Sequence, residues 1–98
     1  MKYIQLRWRH ANPDEPVWIF SEIEEDGREV RKLECFKNGF CDFASREEAT
    51  GTTKLRTQQL PEMRELGRDR EFEPREITKE EFEEVWRTRH YKSDAGDL

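Results

Sequence analysis

The stretch LECFKNGFCDF, residues 33–43, decides the architecture, because it admits two hairpin registers and only one keeps its apolar side chains together. A two-residue turn at Asn38-Gly39 pairs Phe36 with Cys41 and sends Leu33 and Cys35 to the opposite face from Cys41 and Phe43. A three-residue loop, a type I turn closed by Gly39 in the left-handed region, pairs Phe36 with Phe40, Cys35 with Cys41 and Leu33 with Phe43. That register gathers the inner residues on one face, so the spacing predicts an antiparallel hairpin of this kind. Cys35 and Cys41 then face each other at a non-hydrogen-bonded position, within reach of a cross-strand disulfide. The expectation is two buried, reduced thiols acting as small apolar residues, because nothing in the sequence directs export.

Upstream, residues 3–9 alternate, with Ile4, Leu6 and Trp8 on one face and Tyr3, Gln5, Arg7 and Arg9 on the other. Asn12-Pro13 and Glu15-Pro16 cannot continue a ladder and mark a turn. Residues 17–23 form a second strand whose Val17, Ile19 and Ile23 oppose Trp18, Phe20 and Glu22. Asp26-Gly27 is a hairpin signal leading into a third strand over residues 29–36. Trp8 shares its face with Ile4 and Leu6 and is read as core, which leaves Trp18, Phe20, Phe36 and Phe40 as an outer aromatic set.

Downstream, periodicity is lost over residues 45–59, a polar loop with a short edge strand expected near residues 54–57. Pro61 can open and Gly67 close a helix of one or two turns. Thr78 with Glu81 three residues on forms a capping box, and Ile77 and Phe82 occupy the positions of a hydrophobic staple. Phe82, Val85 and Trp86, with Arg89 a turn further, give this last helix a narrow apolar stripe. Acids crowd its first half and Arg87, Arg89 and Lys92 its end, as the helix dipole favours. The whole predicts one α+β domain over residues 1–92: an antiparallel four-stranded β-meander with the C-terminal helix packed on one face. Residues 93–98 are read as a disordered tail.

Ninety-eight residues suffice for one core but not two. Charged residues make up 42% and hydrophobic ones 33%, yet three Trp, six Phe and two Tyr supply large buried area per residue, so the core is thin and aromatic. A formal net charge of -5 disfavours nucleic acid and anionic membranes and favours a basic partner. With no apolar run long enough for a membrane span, and a strand pattern from the first residues, the cytoplasm is the expected compartment.

The chemistry-bearing residues are sparse. There is no CxxC, and His10 and His90 lack ligand spacing. Glu22, Glu24, Glu25 and Asp26 lack the alternation and central glycine of a calcium loop, and there is no glycine-rich phosphate loop, GxSxG or HExxH. The expectation is a non-enzymatic domain with no catalytic residue, metal or cofactor. Its candidate partner contacts are the turn acids Glu22, Glu24, Glu25 and Asp26, the helix acids Glu80, Glu83 and Glu84, and the aromatics Trp18 and Phe20.

Two stretches, MKYIQLRWRHANPDEPVWIFSEIEEDGREVRKLECFKNGF at the start and FEPREITKEEFEEVW near the end, resemble a family of small bacterial proteins known as a domain of unknown function. The segment 41–70 is less typical of it. The resemblance implies a domain boundary and no active site. Members are similar to the small immunity proteins that accompany bacterial toxins, which makes an acidic domain that binds and neutralises a basic toxin or nuclease the first functional expectation. A phage- or plasmid-encoded inhibitor of a host defence enzyme is expected from the same physics. A single-stranded RNA-binding module is the alternative from another class, with Trp18, Phe20, Phe36 and Phe40 stacking bases and Arg7, Arg9 and Lys32 meeting phosphates.

Overall fold

In the computed structural model, which describes residues 1–89, Leu33 pairs with Phe43 and Cys35 with Cys41. The Phe36 amide donates to Phe40 O (2.8 Å), the Gly39 amide to Phe36 O (2.9 Å), and Gly39 has φ of 90°, so the three-residue loop is the one adopted. Around this hairpin lie β1 (Lys2–Trp8), β2 (Trp18–Ile23), β3 (Glu29–Cys35) and β4 (Cys41–Ala44), then α1 (Met63–Leu66), β5 (Phe72–Ile77) and α2 (Lys79–Arg87).

The sheet has five strands, not four. Its order is β4-β3-β2-β1-β5, all antiparallel: the expected meander, extended by β5 on the free edge of β1. Pro74 in the middle of β5 hides this strand from a pattern reading, yet an edge tolerates it. The Arg9 amide donates to Glu71 O (2.7 Å), and alternation from there puts Pro74, opposite Leu6, at a non-hydrogen-bonded position where its missing N–H breaks no bond to β1. The edge strand expected near residues 54–57 is absent, and α1 is a single turn within the expected 61–66.

The register separates two faces. Tyr3, Phe20, Trp18, Leu33, Cys35, Cys41, Phe43 and Ile77 share one, and α2 lies across it. Thr78 caps α2 as expected: its side chain accepts from the Glu81 amide (3.1 Å) while the Glu81 carboxylate accepts from the Thr78 amide (3.0 Å). That reciprocal bond holds the Glu81 carboxyl below the usual carboxylate range. Phe82 is fully buried 5.4 Å from the Tyr3 ring, and Trp86 meets Phe43 edge-on at 5.5 Å. Burial of these aromatics joins that of Ile4, Ile23, Leu33 and Ile77 in stabilising so polar a chain.

For β1 and β2 the assignment of inner and outer faces is reversed from expectation, while Leu33, Cys35, Cys41 and Phe43 are inner as expected. The helix covers the side carrying Trp18 and Phe20, while Ile4, Leu6, Trp8, Ile19 and Ile23 point to the other side, under the 45–71 segment. Both faces of β1 and β2 carry apolar residues, so alternation alone cannot say which one receives the helix; the edge from which β5 delivers Thr78 does. The 45–71 segment is tied down by polar bonds. Thr50 Oγ1 donates to Asp42 (3.0 Å) and accepts from the Phe43 amide (2.9 Å), and the Arg56 amide donates to the buried Glu29 carboxylate (2.6 Å).

The cysteines also depart from expectation. Cys35 and Cys41 are joined in a disulfide, with Cα atoms 4.1 Å apart, because the non-hydrogen-bonded pair brings adjacent strands closest. The tail expected over residues 93–98, and His90, lie outside the described residues.

Candidate binding surfaces

The acid clusters singled out in the sequence meet at one arginine. Arg31 on β3 faces Glu22 across the β2–β3 ladder, donating from Nε (2.6 Å) and Nη2 (2.9 Å) to its two oxygens, and Nη2 also reaches Glu83 on α2. The guanidinium lies 4.9 Å from the Phe82 ring centre and 5.0 Å from that of Trp86, so planar charge and apolar packing are satisfied together. Arg31 holds the Glu22 carboxyl below its ordinary range against the opposing effect of burial, and the Arg31 guanidinium is itself pushed up by Glu22. Burial, and then the neighbouring Glu22 carboxylate, push the Tyr3 hydroxyl up.

The candidate contact residues therefore divide. Glu22 is buried and occupied by Arg31; Glu83 is half-buried on the same guanidinium. Glu24 pairs with Arg46 (2.7 Å), Asp26 lies 3.5 Å from Arg28, and Glu84 contacts Arg87. Glu25 and Glu80 are exposed, with no ion pair among the described residues. The Glu22–Arg31–Glu83 bridge links the strand that enters the β2–β3 turn to the first half of α2.

The aromatics do not form one platform. Trp18 and Phe20 stack with ring centres 6.4 Å apart but are half-buried against the helix-side core, with Arg7 5.6 Å from the Trp18 ring centre. Phe36 and Phe40 make a separate pair at the hairpin tip, and Phe36, one residue past Cys35, turns to the opposite side of the ribbon. Lys32 is on the far face beside Glu29 (3.7 Å), and Arg9 contacts Glu73.

His10, considered as a base, serves its own turn. Its Nδ1 accepts from the Asn12 amide (3.1 Å), which leaves Nε2 as the protonated nitrogen that donates to Pro16 O (2.8 Å). Among the described residues no group of three His, Cys, Asp or Glu side chains is placed to hold a metal ion, and no helix is long and apolar enough to cross a membrane.

A family model described as Domain of unknown function (DUF6881) matches residues 2–91, nearly the whole chain. The chain belongs to that family. No curated protein and no solved structure matches it. The DUF6881 match runs through the 41–70 segment that looked less typical in sequence, and this is the segment that roofs the remaining surface.

That surface is a cavity of about 340 Å³ between the sheet and the 45–71 segment. Ile4, Leu6, Ile19, Leu60 and Leu66 line it, with Trp8 and Phe72 stacked at 5.6 Å as one wall. Ser21, Glu29, Lys32 and Arg56 gather at its other end. Sequence reasoning assigned Ile4, Leu6 and Trp8 to packed core. No local signal marks the cavity, because Leu60, Leu66 and Phe72 reach it only through the path of the connecting segment.

Proposed function

We propose that this DUF6881 domain is a non-catalytic immunity protein that binds and blocks a basic bacterial toxin with its acidic end. The supporting observation is the bridge through Arg31, which ties Glu22, at the entry to the turn acids, to Glu83 among the helix acids. Glu24, Glu25, Asp26, Glu80 and Glu84 then offer carboxylates from two elements to one basic surface. Such an arrangement steers association and sets specificity more than it adds raw affinity. A phage- or plasmid-encoded inhibitor of a nucleic-acid-handling defence enzyme uses the same surface, and the gene's neighbourhood separates the two readings. The RNA-binding reading draws less support, because the aromatics that motivated it are divided between two faces and two of them are packed under the helix side.

The test is co-expression with a toxin encoded beside this gene. The wild-type chain should restore growth and bind the purified toxin with an association rate that falls with salt. A variant carrying Glu25→Gln, Asp26→Asn and Glu80→Gln should fold normally and associate at least several-fold more slowly. Undiminished association and protection by that variant, or no toxin-like neighbour and no protection at all, would overturn the reading.

A further inference from the structure

The loop-covered cavity lies on the sheet face away from α2, and its chemistry is independent of the acidic end. We propose that it is a binding site for a small, flat, apolar molecule carrying one anionic group.

The pocket is partly open to solvent, and at about 340 Å³ it is more than ten times the roughly 30 Å³ that one water occupies in the liquid. It falls in the lower part of the range of small-molecule sites, about 300–1,000 Å³. Leu6, Trp8, Ile19, Leu60, Leu66 and Phe72 are all only half-buried, so each has apolar surface to gain by covering.

The two ends differ in chemistry. Ile4, Ser21 and Lys32 occupy one row of paired residues, and Trp8 and Phe72 pair four residues further along β1. At about 3.3 Å per strand residue the rows are roughly 13 Å apart. The aromatic row offers a stacked pair for a ring. At the polar row the charges do not cancel. Glu29 Oε2 accepts from Ser21 Oγ (3.0 Å), while Oε1 accepts from the Arg56 amide and lies 3.7 Å from Lys32 Nζ. Lys32 therefore offsets Glu29. Arg56 also lines the cavity, and its exposed side chain has no hydrogen bond or ion pair among the described residues. One cation is left over at the mouth of an apolar pocket, so the complementary ligand has an apolar ring body and a single carboxylate, sulfonate or comparable anion.

The experiment titrates the full chain with anilinonaphthalene sulfonate and with N-phenylnaphthylamine, which has the same rings without the anion, following dye fluorescence. The sulfonate should bind saturably, one per chain, and about threefold more tightly than the neutral dye, the effect expected of one exposed ion pair. Arg56→Gln should abolish that preference and leave the neutral dye's affinity unchanged. Leu60→Trp, which fills the cavity from the covering segment, should weaken both dyes at least tenfold, with circular dichroism and thermal midpoint reporting that each variant is folded. Should Leu60→Trp fail to fold, Leu66→Phe serves the same purpose. Non-saturable binding, equal affinity for the two dyes, or a preference that survives Arg56→Gln would overturn the proposal.

Discussion

Removing the Arg31 guanidinium is the most informative single perturbation of the fold. Its side chain is 19% exposed and that of Glu22 only 9%, so Arg31→Met leaves a carboxylate in a site built for an ion pair. Breaking one partner of such a pair costs about 3–5 kcal/mol, much of it the stranded charge. Loss of the contacts with Phe82 and Trp86 adds about 0.5–1 kcal/mol each at most, partly replaced by the methionine. At roughly 4–8 °C per kcal/mol for a domain of this size, the thermal midpoint should fall by at least about 12 °C. Glu22→Gln added to Arg31→Met removes the stranded charge and should recover about 2 kcal/mol. The pH dependence carries a definite sign. In the wild type the Glu22 carboxyl is held down, so its contribution is full above the unfolded carboxylate value near pH 4.3 and is lost as pH falls through the folded one. In Arg31→Met the main opposition to burial is gone and only the Tyr3 hydroxyl and Lys79 still counter it, so that value rises relative to the wild type, and the penalty is full at neutral pH and fades on acidification. Urea unfolding should therefore show the gap between the two proteins narrowing from pH 7 toward pH 3. A loss below about 1 kcal/mol at pH 7, or a gap that widens in acid, would refute the reasoning.

Other perturbations address separate parts of the structure. Phe82→Ala, at a fully buried site, should cost about 3–5 kcal/mol and Trp86→Ala about 3 kcal/mol in chemical denaturation; a change under about 0.5 kcal/mol for either would mean that α2 does not dock through this stripe. Intact mass of the protein purified without reductant should be two hydrogens below the reduced value and show no alkylation, and reduction should cost about 2 kcal/mol, whereas two alkylated thiols would return the pair to the reduced state expected from sequence. Gly51→Ala should destabilise by more than about 1 kcal/mol, since Gly51 has φ of 57° and an added Cβ would lie 2.4 Å from the Asp42 carboxylate; unchanged stability would show that the 45–71 segment is not held at Asp42.

Local chemistry was legible wherever neighbours in sequence are neighbours in space. The Gly39 loop follows from keeping Leu33, Cys35, Cys41 and Phe43 together, and the Thr78–Glu81 box needs only three residues of spacing. Several other features involve partners far apart in the chain. Strand β5 is too polar, and too interrupted by Pro74, to announce itself; it exists because β1 has a free edge and Phe72 and Ile77 find Trp8 and Tyr3 opposite them. Glu22 looked like a surface acid until β3 and α2 delivered Arg31 and Glu83 to it, and the cavity appears only once the 45–71 segment crosses the sheet. The face that receives the helix is the clearest case. β1 and β2 carry apolar side chains on both sides, and period-two alternation distinguishes the sides without ranking them. The sequence determined which residues share a side within each strand; how those sides combine across the sheet, and which became helix-covered core and which a roofed pocket, was decided by strand pairing and by where β5 ends and α2 begins, long-range features that local pattern does not encode.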